Sequence, residues 1–103
     1  MEVVYFYEDK DNKAVDTLLQ EEFFKRLGPG VRDASMMGAG RKAGYYLYIK
    51  AENPEKMKEA LRLIEESKIP LVKLSGEEEV KVIEAIHKEE DEAASGMGAI
   101  FGY

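Results

Sequence analysis

The chain has no cysteine and no tryptophan, a single histidine, three prolines, one glutamine and two asparagines among its 103 residues. The absence of cysteine excludes disulfides, thiolate metal ligands and cysteine nucleophiles, and removes the usual mark of a secreted, disulfide-stapled domain. With His87 as the lone imidazole, a zinc site would need carboxylates for nearly all its ligands. No apolar run reaches the length of a membrane span, and Met1-Glu2-Val3-Val4-Tyr5 enters a strand without a charged leader, so the expected location is cytoplasmic.

What is present points to one folded domain spanning residues 1–103. Hydrophobic residues make up 45% of the chain, and 21 acidic against 15 basic residues leave a net charge of −6. That balance favours solubility and works against a non-specific grip on phosphate backbones. Glu and Lys dominate the charged set and amides are scarce, a bias associated with proteins from hot environments.

The order of elements reads strand, helix, strand, strand, helix, strand, then an extra helix and an apolar, Gly-rich tail at 94–103. Residues 2–7 are β-branched and aromatic and too short for a helix. Val15, Leu18, Leu19, Phe23 and Leu27 recur at helical spacing, and Gly28-Pro29-Gly30 ends that helix. Residues 31–37 and 44–50 read as two strands joined by the loop Gly38 to Ala43. Asn53-Pro54 supplies a cap and a first-turn proline for a helix with Met57, Ala60, Leu61 and Ile64 on its inner stripe. Residues 69–74 predict a fourth strand whose Pro70 suits a sheet edge. Ser75-Gly76-Glu77-Glu78 has capping-box spacing, opening a third helix with Val80, Ile83, Ile86 and His87 along its stripe and the charged run 88–92 at its end. This layout predicts a ferredoxin-like βαββαβ sandwich with a C-terminal helix and a docked apolar tail.

Alternation along strands predicts Val4 and Phe6 facing one way and Tyr5 and Tyr7 the other, with Tyr46 and Tyr48 joining Tyr5 and Tyr7 on an uncovered sheet face. Aromatics on the first and third strands, with Arg41-Lys42-Ala43-Gly44-Tyr45-Tyr46-Leu47-Tyr48, resemble the RNA-recognition-motif family. The resemblance implies a stacking platform for single-stranded RNA made of Tyr5, Tyr7, Tyr46 and Tyr48. The competing expectation is that these tyrosines are covered by the third helix or by a second copy of the chain, since large exposed apolar patches mark interfaces.

The loop carrying Gly38, Gly40, Arg41 and Lys42 is the second candidate. Glycines admit backbone N–H groups close to an anion, and the two cations supply countercharge, though the Gly-Lys-Ser/Thr ending of a phosphate loop is missing. The layout is also similar in topology to amino-acid-binding (ACT-like) regulatory modules, which implies ligands held at glycine-bearing loops between subunits. His87 shares a helical face with Glu84, Glu90 and Asp91, a spacing that more often makes a solvated ion pair than a metal site.

These readings favour a non-catalytic, homo-oligomeric binding or regulatory module for a small anionic ligand, with no cofactor and no metal. The alternatives are the RNA platform and a small dimeric α+β barrel enzyme using His87 or a tyrosine as its acid or base.

Overall fold

The computed structural model describes residues 1–100, with side chains through Glu92. It is an α+β structure with a four-stranded antiparallel sheet. Strand β1 (Glu2–Tyr7) leads through a 3₁₀ turn at Asp9–Asp11 to helices α1 (Asn12–Leu19) and α2 (Glu22–Leu27). Strands β2 (Gly30–Asp33) and β3 (Tyr45–Lys50), helix α3 (Pro54–Ser67), strand β4 (Val72–Lys73) and helix α4 (Gly76–Ile100) follow. The sheet order is β2-β3-β1-β4. Among the described residues no helix is long and apolar enough to cross a membrane.

Strand β1 lies in the middle because both its edges find partners: Val4 stands opposite Tyr48 and Phe6 opposite Tyr46 on β3, while Phe6 also meets Val72 on β4. Residues directly opposite each other share a face. One face therefore carries Val3, Tyr5, Tyr7, Leu47 and Ile49, packed against Val15, Leu18, Phe24, Met57, Ala60 and Ile64 from α1, α2 and α3. The other carries Val4, Tyr46 and Tyr48, packed against Val82 and Ile86 of α4 and against Ala34, Met37 and Leu74. Each face of the sheet thus has its own core.

Four elements depart from expectation. The first helix breaks at Gln20-Glu21, where Glu21 takes an extended backbone (ψ 143°). On a continuous helix Phe24 would sit about 120° around from Leu18; the break re-phases the chain so that Phe24 becomes fully buried, edge-on to Phe23. The second strand stops at Asp33, not at residue 37. The Asp33 carboxylate accepts from the Ser35 backbone N–H and hydroxyl (2.9 and 2.6 Å), folding Ala34–Met36 into a 3₁₀ turn, the local competition typical of Asp and Ser.

The fourth strand shrinks to two residues. Pro70 lacks a donor, and the Leu71 N–H turns back to the Ile69 carbonyl (2.7 Å), so the ladder begins only at Val72. Helix α4 runs on past residue 92 to Ile100. Its inner stripe is Glu78, Val82 and Ile86, about one residue out of phase with the expected stripe, so that Val80 is half exposed. The expectation of a docked tail falls on side chains outside the described residues.

Candidate functional site

The tyrosines do not form one platform. Tyr5 and Tyr7 lie in the core beneath α1, α2 and α3, whereas Tyr46 and Tyr48 lie on the opposite face beneath α4. The face assigned to β1 from alternation is therefore inverted: Val4 and Phe6, not Tyr5 and Tyr7, share a side with Tyr46 and Tyr48. All four rings are buried, and it is α4 that covers the pair on β3.

Their hydroxyls explain how a polar-tipped face accepts a helix. A buried phenol needs a partner, and Tyr46 donates to the Glu78 carboxylate at 2.8 Å. The same carboxylate accepts two hydrogen bonds from the Arg41 guanidinium, at 2.5 and 3.2 Å, and that guanidinium stacks 3.7 Å over the Phe6 ring. These bonds hold the Glu78 carboxyl below the usual carboxylate range, with Arg41 the main cause, and raise Arg41. Burial, then the bond to Glu78, pushes Tyr46 up to about 12.

A second network lies further along α4. Tyr48 donates to Glu2, whose carboxylate also meets His87 Nε2 at 2.6 Å. Burial pushes the Glu2 carboxyl up, but Tyr48, His87 and Lys50 together outweigh it and hold it low. Burial and the Glu2 bond raise Tyr48. Beside it Arg32 binds Glu89 at 2.8 Å. His87 is thus half exposed, tied to the sheet rather than to Glu84, Glu90 or Asp91, and among the described residues no cluster of three potential metal ligands forms.

The glycine loop is partly spent on structure. Arg41 is engaged by Glu78, while Gly38, Gly40 and Lys42 are exposed. Arg41 also lines a cleft of about 430 Å³ with Phe6, Glu8, Asp9, Lys10, Ala43 and Gly44, where two acids face two bases.

A larger cleft of about 640 Å³ lies at the other end of the sheet, lined by residues that include Phe23, Arg26, Leu27, Tyr48, Lys50 and Lys56, with Glu52 and Glu90 also on its wall. Its origin is local. Strand β2 starts at Gly30, opposite Tyr48, so Ile49 and Lys50 run past it unpaired on that side. Helix α2 stops at Gly28 in the left-handed conformation (φ 72°), which turns the chain into β2 and leaves Phe23 and Leu27 along the gap. Lys56 sits in the first turn of α3, just after the Asn53 cap, where the helix dipole is positive. Arg26 is paired with Glu22 at 2.6 Å. Among the described residues neither Lys50 nor Lys56 has a carboxylate within 4 Å. Sequence reasoning missed this cleft because its cations come from three separate elements; Lys50 at a strand end and Lys56 after a capping Asn were the available signals.

Compared with protein-family models, with curated proteins and with solved structures, the chain matches none of them.

Proposed function

We propose that this chain is a non-catalytic binding or regulatory module of ferredoxin-like topology that takes a small anionic ligand in the cleft between α2, the end of β3 and the start of α3. The alternation of elements and the antiparallel order β2-β3-β1-β4 support the topological reading. The observation that carries the ligand reading is the convergence of Lys50 and Lys56, neither with a carboxylate within 4 Å among the described residues, on one cleft of a chain whose net charge is −6. Water-screened lysines pointing at one concave site are a weak anion trap on their own, strengthened here by the α3 dipole.

The polar groups elsewhere serve the fold. Arg41, Glu78, Tyr46, Tyr48, Glu2 and His87 satisfy one another and fasten α4, which favours binding over acid–base chemistry at His87. Burial of Tyr46 and Tyr48 under α4 speaks against an RNA platform. Self-association is part of the proposal, supported by the exposed Val72 on β4 and Val80 on α4.

The test is a titration of inorganic phosphate into isotope-labelled protein, following backbone amides by NMR. The expected result is a saturable shift at Gly28, Lys50 and Lys56. Shifts confined to Arg41 and Lys42 would move the ligand to the glycine loop, and none at either place would end the anion reading. Light scattering at low and high salt reads the oligomeric state, with a salt-resistant dimer expected and a monomer removing that part.

A further inference from the structure

We infer that the occupant of the α2–β3–α3 cleft is an amphipathic aromatic acid, a small flat apolar body bearing a phosphate, sulfonate or carboxylate; the inference rests on the anion-binding reading above. Cleft size argues for it first. A volume of about 640 Å³ falls within the range of roughly 300–1,000 Å³ that holds small organic ligands, and a bare inorganic anion would leave most of it to water.

The wall argues second. Phe23 and Leu27 are only partly buried, packed against the core on one side and lining the cleft on the other. Phe23 is held nearly perpendicular to Phe24, with ring centroids 5.4 Å apart, so its orientation is set before any ligand arrives. Tyr48 has committed its hydroxyl to Glu2 and its ring is buried beneath α4, so it closes the cleft without offering a stacking face. Phe23 and Leu27 therefore offer the apolar surface, and the Phe23 ring favours a flat partner that stacks offset or edge-on.

The charges argue third. Lys50 and Lys56 supply two ammonium groups, while Arg26 is paired with Glu22 and the wall also carries Glu52 and Glu90. Two nearby carboxylates repel an extended polyanion such as a nucleic-acid strand, leaving a headgroup of one or two charges as the match.

The experiment compares 1-naphthalenesulfonate with inorganic sulfate and inorganic phosphate by NMR titration, on the parent chain and on a Lys50→Gln/Lys56→Gln variant. Both lysines are exposed, so the variant keeps the fold. The expected result is that naphthalenesulfonate shifts Gly28, Phe23 and Lys56 and binds at least about tenfold more tightly than sulfate, and that the lysine variant weakens it by about tenfold or more, each factor of ten being roughly 1.4 kcal/mol. A Phe23→Leu variant should weaken naphthalenesulfonate and leave phosphate unchanged. Phosphate or sulfate binding as tightly as naphthalenesulfonate overturns the amphipathic assignment and leaves the anion site standing. Naphthalenesulfonate binding that ignores both lysines overturns it as adhesion to apolar surface. No response to any of the three anions removes the amphipathic assignment and the anion reading together.

Discussion

Gly44 and Phe6 touch so closely that no side chain fits between them: a Cβ on Gly44 would lie 2.5 Å from the Phe6 ring and 2.9 Å from the Tyr7 carbonyl oxygen. Gly44 also has φ +94°, and the Phe6 ring cannot retreat because Arg41 is stacked on it and Tyr46 packs at its edge. Gly44→Ala is therefore expected to destabilise the fold by about 2–4 kcal/mol, summing backbone strain and overpacking. Gly40 has a similar φ of +98° but open space around its Cβ position, so Gly40→Ala should cost only the strain, about 1–2 kcal/mol. Urea unfolding of both variants checks the ranking, and equal losses would mean that Phe6 yields.

Tyr7 and Tyr46 should respond oppositely to loss of their hydroxyls. The Tyr7 ring is stacked on Tyr45 with its centroid 5.4 Å away, yet its buried hydroxyl has no hydrogen-bond partner among the described residues. Tyr7→Phe is expected to raise stability by up to about 1 kcal/mol, since an unsatisfied buried group costs roughly 1–3 kcal/mol. Tyr46→Phe, which leaves Glu78 one donor short, is expected to lower it by about 1–2 kcal/mol. Thermal unfolding of the pair reads both signs.

Stability should fall at both extremes of pH for identifiable reasons. Glu78 and Glu2 have folded values below the ordinary carboxylate range, so their contribution is complete above the unfolded value of about 4.3 and is lost as pH falls through the lower folded values. Tyr46 runs the other way: its folded value is about 12 against an ordinary 10.0, so its contribution is complete below 10 and disappears as pH rises towards 12. Urea midpoints measured from pH 7 down to pH 2.5 should drop, and Glu78→Gln should flatten that drop while lowering stability at pH 7. With a quarter to a third of the Arg41 and Glu78 side chains exposed to water, the loss at pH 7 is expected to stay near 1–2 kcal/mol, about what a screened charge-assisted pair supplies.

The phase of α4 can be read from two substitutions. Ile86 is 1% exposed and Val80 51% exposed. Ile86→Ala should cost about 2–5 kcal/mol through the cavity it leaves against Tyr46 and Tyr48, and Val80→Ala should stay within about 0.5 kcal/mol. Equal costs would mean that the helix is rotated from the position described.

The alternation of strands and helices was legible in hydrophobic period, caps and glycines, and Asn53 and Gly28 do what their chemistry predicts, whereas Pro70 falls outside the two-residue β4 rather than within it. Period alone did not decide which side of β1 faces which helices, because Val3, Val4, Tyr5, Phe6 and Tyr7 are apolar at every position; a strand buried on both faces carries no inside–outside signal. The phase of α4 was hidden for a related reason. Glu78 looks like a capping residue and a solvated acid, yet it sits on the inner stripe because Tyr46 and Arg41 give it partners, and those partners lie more than thirty residues upstream. His87 stands out in the sequence as the lone imidazole, but its partner Glu2 is 85 positions away, beyond any helical spacing. The cleft cations Lys50 and Lys56 look individually like ordinary surface lysines; their convergence is a property of where β2 begins.

The central place of β1 has a consequence in time. It emerges from the ribosome before either strand that will pair with it: β3 begins about 40 residues later, a delay of roughly 2–8 s at 5–20 residues per second, and β4 and α4 later still. During that interval Glu-Val-Val-Tyr-Phe-Tyr has both hydrogen-bonding edges open, a sequence suited to joining another nascent copy of itself. Glu2 and the Glu8-Asp9 pair bracket it with negative charge, so two such segments meeting in register repel each other until the proper partner arrives.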